Sequence, residues 1–249
     1  MASSPQQLEI RTADGVARAW VHRTGGGTRP GVVLYVDAYG VRPTMHETAA
    51  RVAGLGYVVL VPDVFYRAGD VPPFDKATVW TDPPERARLM ALIGSLTSDR
   101  LRVDTRAWLD ALCAQPGVRR DRLGAFGYCM GGRVAFLSAA LHPADVRASA
   151  SFHGGGLVND QPDSPHRLAD RVKASIYLGV ADGDRSCTPE QQGALATALG
   201  AAGVEYRIEL YAGKRHGFAV PDHPGAYDPH ADARHWRRLE SFLGETLAS

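Results

Sequence analysis

The chain has 249 residues, with 28 Lys and Arg against 27 Asp and Glu, a net charge of +1. That balance gives no electrostatic reason to expect nucleic acid or an anionic membrane surface as a partner. At 45% hydrophobic and 22% charged residues, it can bury the core of one large α/β domain, and 1–249 is expected to be a single such unit.

No apolar run is long enough to span a bilayer, and Met1–Gln7 lacks the apolar core of a signal peptide. Cys113, Cys129 and Cys187 make neither a disulfide framework nor a CxxC pair, which suits a reducing compartment, so a cytoplasmic protein is expected.

Leu8 to Arg23 alternates polar and apolar residues around Ala13-Asp14-Gly15, the pattern of a hairpin at a sheet edge. Thr24 to Pro30 is a glycine-rich connector; no Gly-Lys-Ser/Thr follows, so it is not a phosphate cradle. Val32–Val36 and Tyr57–Pro62 are continuous apolar runs, as in strands buried on both faces, with helical periodicity from Thr44 to Leu55 between them. Asp63 to Pro84 reads as a long loop. Glu85 to Gln115 reads as helical, with a break near Thr97-Ser98-Asp99. Strands are then expected at Leu123–Phe126, Val146–Phe152, Ser175–Val180 and Val204–Tyr211. Helices are expected after Cys129, over Pro189–Leu199 and over Ala231–Leu247. Strands alternating with helices imply a mostly parallel sheet covered on both faces, with the ligand site beyond the carboxyl ends of the strands. Asp37, Cys129, Asp182 and His216 each follow an apolar run and should gather at that edge.

Gly127-Tyr128-Cys129-Met130-Gly131 has the shape of a nucleophile elbow, with cysteine in the place of serine. A thiol there stands at the positive end of the next helix, which favours the thiolate. The chain order Cys129, Asp182, His216 is that of α/β-hydrolase triads. In it the thiolate attacks a carbonyl carbon, His216 protonates the leaving oxygen, and Asp182 orients the imidazole. Backbone N–H groups of Met130 and Ala38 are the expected oxyanion donors, each worth ~3 kcal/mol in related hydrolases. His46-Glu47 begins like a zinc-binding HExxH, but Ala50 stands where the second ligand belongs, so no metal and no organic cofactor is expected.

The chain resembles the dienelactone hydrolases, a cysteine-dependent branch of the α/β-hydrolases. Gly127-Tyr128-Cys129-Met130-Gly131-Gly132, Gly179-Val180-Ala181-Asp182 and His216-Gly217-Phe218 carry the likeness, supported by Gly54-Leu55-Gly56-Tyr57 and Val61-Pro62-Asp63. The resemblance implies an α/β-hydrolase fold and hydrolysis of an enol lactone to an open keto acid. It favours Asp182 over its neighbour Asp184 as the acid. It makes Asp37 an accessory carboxylate in the position of a family glutamate, shorter by one methylene. Family enzymes grip a substrate carboxylate with arginines, one of them shortly after the histidine; none stands there in this chain, and Arg86 and Arg88 lie roughly where another would come from. Tyr39, Tyr128 and Phe218 are the expected pocket residues. The expected partner is a small-molecule ester or lactone. The alternatives are a ligand-binding or thiol-sensing relative with little turnover, and a hydrolase of thioesters or uncharged esters.

Overall fold

The computed structural model describes residues 4–247. β1 (Gln6–Thr12) and β2 (Gly15–His22) form the leading hairpin; β3 (Arg29–Tyr35), α1 (Pro43–Gly54) and β4 (Val58–Pro62) follow. Then come α2 (Pro83–Ser95), α3 (Ser98–Cys113), β5 (Val118–Tyr128) and α4 (Met130–Leu141). The chain ends with β6 (Val146–Phe152), β7 (Ser175–Ala181), α5 (Pro189–Ala201), β8 (Tyr206–Tyr211) and α6 (Pro229–Leu247).

All eight strands form one sheet in the order β1-β2-β4-β3-β5-β6-β7-β8. β1 and β2 pair antiparallel, β2 runs antiparallel to β4, and the strands from β4 to β8 are parallel. The edge hairpin alternates in burial, whereas β4 is buried at every position, as the two patterns in the sequence require. β5 is longer than its apolar run, because polar residues from Val118 onward extend the pairing with β3. The expected break in the long helical stretch separates α2 from α3, with the Thr97 side chain capping α3 by accepting from the Arg100 N–H.

The helices form two layers. On one face Arg51 of α1 stacks on Trp236 of α6, 3.9 Å from the ring centroid. On the other, Tyr35 of β3 meets Trp108 of α3 and donates to Ser138 of α4. α4 is almost wholly buried, which its run of apolar and small residues permits. The loop between β4 and α2 holds a short 3₁₀ turn at Tyr66–Ala68. No helix among the described residues is long and apolar enough to cross a membrane.

Candidate active site

β5 ends at Tyr128, α4 begins at Met130, and Cys129 occupies the turn between them with φ 55° and ψ −122°. That left-handed backbone is costly for any residue with a Cβ and is found where packing enforces it. The packing is close: a Cβ on Gly131 would lie 2.2 Å from the carbonyl oxygen of Tyr35, and one on Gly127 2.4 Å from the Gly131 backbone. Both glycines are therefore required by the approach of β5, α4 and β3, as the motif implies. The Cys129 N–H donates to the Phe152 carbonyl at 3.1 Å, fixing the elbow to β6.

His216 lies in the loop after β8 and lines the same cavity as Cys129, close enough for the sulfur to influence its charge. Its Nδ1 donates to Asp184 Oδ2 at 2.7 Å, which leaves Nε2 for the sulfur. Burial opposes a charge on His216, but the neighbouring Cys129 sulfur and the Asp184 carboxylate outweigh it, so the imidazole is held well above its usual range. Asp184 is buried, which by itself would raise its pKa. His216 and Ser186 more than offset this and keep the carboxyl below the ordinary value.

The acid facing His216 is thus Asp184, and the expectation of Asp182 is corrected. Asp182 is exposed, and its Oδ2 accepts from the Gly213 N–H at 2.9 Å. The first residue past β7 still points along the sheet edge toward the end of β8. Two more residues of turn, with the Gly183 N–H bonded to the Lys214 carbonyl, bring a carboxylate over the site.

Ser186 has no counterpart in the sequence-based expectations. Its N–H and Oγ–H donate to Asp184 Oδ1 at 2.8 and 2.6 Å, and Oγ lies 3.1 Å from His216 Nδ1. Asp184-x-Ser186 is an Asx-turn spacing, the one local signal that distinguishes this carboxylate from Asp182.

His153 was also missed. It follows β6 with φ 41°, is 1% exposed, and packs edge-on against His216 with ring centroids 5.1 Å apart. Neither of its ring nitrogens has a hydrogen-bond partner among the described residues. Burial, and then the neighbouring imidazoles, push it well below the usual histidine range.

Ala38 and Met130 both line the cavity over Cys129. Met130 opens α4, where a backbone N–H has no intrahelical acceptor. Tyr39 also lines the cavity and accepts a hydrogen bond from Trp80 Nε1 at 3.0 Å.

Two expected pocket residues lie elsewhere. Tyr128 alternates to the opposite face from Gly127 and is buried there, 2.9 Å from His235 Nε2 of α6. Phe218 is wholly buried, stacked on Tyr211 at 4.3 Å and edge-on to His153 at 5.1 Å, so it backs His153.

Asp37 borders the cavity, but Arg42 engages both of its oxygens at 2.7 and 2.8 Å, and the Tyr39 N–H adds a third bond. Arg42 also grips Asp222, which Lys76 holds as well, so this carboxylate fastens the 37–42 loop to the segment after His216. Arg88 pairs with Glu85 and stacks on Phe74, and neither it nor Arg86 lines the cavity; Arg133, Arg185 and Arg215 do.

A mostly parallel sheet with a strained Cys129 turn at the end of a central strand, and with an aspartate and a histidine in later loops beside it, is the arrangement of an α/β-hydrolase. Within that class the chain belongs to the dienelactone hydrolase family, whose sequence profile matches residues 18–247. It is 28% identical to a carboxymethylenebutenolidase of Rhodococcus opacus over 230 residues, covering 90% of this chain and 83% of that protein. It is 27% identical to the crystal structure of a dienelactone hydrolase-like promiscuous phosphotriesterase, P91, from metagenomic libraries, with a TM-score of 0.76 over 98% of this chain and 99% of that one. A Klebsiella pneumoniae protein gives a TM-score of 0.84 at 21% identity, over 97% of this chain and 98% of that one, a likeness of fold. The chain is a hydrolase of the lactone- and ester-cleaving kind.

Proposed function

We propose that the protein, acting as one domain, hydrolyses a lactone or carboxylic ester through a Cys129–His216–Asp184 triad and an acyl-enzyme intermediate. The observation that carries this reading is the strained Cys129 facing an imidazole whose other nitrogen is held by a buried carboxylate. The Cys129 thiolate attacks the carbonyl carbon, and the carbonyl π electrons move onto oxygen. The N–H groups of Ala38 and Met130 stabilise that oxyanion. The C–O bond then breaks, and the leaving alkoxide takes the proton from His216 Nε2; in a lactone it stays tethered to the acyl group. Water attacks the resulting thioester as His216 accepts its proton. The tetrahedral adduct collapses, expelling the thiolate and releasing the acid. Asp184 stabilises the imidazolium at each stage and remains ionised.

The test is electrospray mass spectrometry of the protein mixed rapidly with p-nitrophenyl acetate. The expected result is a transient acetyl adduct on Cys129, absent with turnover in Cys129→Ala. Full turnover by Cys129→Ala would reject the proposal.

A further inference from the structure

The cavity above Cys129 and His216 is much larger than the reacting atoms require. It encloses about 1040 Å³, at the upper end of the roughly 300–1,000 Å³ that holds drug-sized ligands. Trp80, Met90, Ile93, Leu96 and Leu137 give its lining an apolar part, beside polar residues such as Thr97, Ser98 and Asp163. Met90 and Trp80 are each 48% exposed. Both line the reactive cavity, and both also line a neighbouring shallower pocket with Pro83, Arg86 and Ala87, so they offer apolar surface at the cavity's rim.

α2 points the same way. Of its thirteen residues only Leu89 and Leu92 are buried, while Met90 and Ile93, three apart on one helical face, line the cavity. Three cations also line the cavity: Arg185 and Arg215, which are exposed on the side of the triad loops, and Arg133, which is tied to α2. Its guanidinium donates to the Ile93 and Leu96 carbonyls at 3.5 and 3.4 Å, binding the negative end of α2 to α4.

We infer that the substrate is an ester with a bulky, uncharged apolar arm, seated between α2 and α4 against Met90, Ile93 and Leu137, rather than a small or carboxylated lactone. The inference rests on the acyl-transfer reading above. The arm packs on the cavity-facing surfaces of these residues, and its burial tightens binding by up to about fourfold per methylene.

The experiment is kcat/KM for p-nitrophenyl acetate, butyrate and hexanoate, and for the p-nitrophenyl monoester of adipic acid, a hexanoate with a terminal carboxylate. The expected result is a rise of at least ~10-fold from acetate to hexanoate, with the carboxylated ester below hexanoate. In Met90→Glu, which alters a half-exposed side chain, the hexanoate-to-acetate ratio should fall ~10-fold with an unchanged circular dichroism spectrum. A flat series, a preference for the carboxylated ester, or an unaltered ratio in Met90→Glu would each overturn the inference while turnover and the Cys129 adduct persist. A wild-type chain with neither turnover nor adduct on any ester would overturn the hydrolase reading as well, and is distinguished by that.

Discussion

Asp184 and His216, 32 positions apart in the chain, meet through a 2.7 Å bond between Oδ2 and Nδ1, while the other carboxylate oxygen takes two bonds from Ser186. The acid is thereby held from both ends, and its exposed neighbour Asp182 is left to pin the turn at Gly213. Asp184→Asn should lower kcat by ~10³-fold or more, because an amide neither fixes the imidazole tautomer nor stabilises its positive charge. Asp182→Asn should stay within about threefold of wild type. Steady-state kinetics of the two variants decide which aspartate serves; the opposite ranking would return the role to Asp182.

Removing the Ser186 hydroxyl should be felt in turnover more than in binding. Hydrogen bonds to charged groups contribute about 1.5–3 kcal/mol, so Ser186→Ala should reduce kcat by roughly 10- to 100-fold with KM nearly constant. The pH profile of iodoacetamide alkylation at Cys129 gives a second readout. Asp184 loses a donor that favours its ionised form, and the imidazolium loses a nearby acceptor. The acid limb of that profile should therefore move to higher pH in the variant. An unmoved limb would leave Ser186 as a packing residue only.

The elbow strain carries a stability signature. Cys129 sits at φ 55°, which glycine tolerates far better than a residue with a Cβ. Cys129→Gly should be inactive yet more stable than wild type by about 1 kcal/mol, read as a higher Tm or denaturation midpoint. Gly131→Ala should do the reverse and fail to accumulate as folded protein, since its Cβ would press on the Tyr35 and Val36 carbonyls. A Gly131→Ala variant with wild-type Tm would contradict the close approach of α4 to β3.

Tyr128 adjoins Cys129 in sequence but serves the far side of the sheet. Its hydroxyl donates to His235 Nε2, whose Nδ1–H in turn donates to Asp232 at 3.1 Å. Tyr128→Phe would strand a buried imidazole nitrogen and should cost about 1–3 kcal/mol of stability, with kcat/KM within about twofold of wild type. A kinetic defect without a stability loss would put Tyr128 back in the pocket.

At the hairpin edge, buried His22 lies 3.1 Å from His46, and its pKa is lowered to about 4, first by burial and then by His46. The unfolded chain binds a proton here near 6.5, before the folded one does. The contribution is thus fully present above about pH 6.5 and is lost as pH falls toward 4. Urea midpoints should decline over that window, and His22→Gln should flatten the decline by ~3 kcal/mol. A decline unaltered by the variant would place its origin elsewhere.

Local rules in the sequence determined much of this protein. Continuous apolar runs marked the buried strands, alternation marked the edge hairpin, and glycines flanking Cys129 marked a turn no bulkier residue fits. These patterns depend on a few neighbouring residues and on the period of each element, so they can be read without coordinates. The strand-end positions likewise put Cys129, His216, Asp37 and an aspartate after β7 at one edge of the sheet. What only the tertiary structure decided is where loop side chains point. Asp182 and Asp184 differ by two residues of turn, and a histidine beyond the next strand selects between them. Asp37 is claimed by Arg42, which holds Asp222 from the segment following that histidine. Strand alternation carries Tyr128 away from the site, and His153 enters it from β6 with no motif to announce it. Hydrogen bonds and ion pairs between distant loops set these orientations, and such partners are chosen by the folded surroundings rather than by sequence spacing.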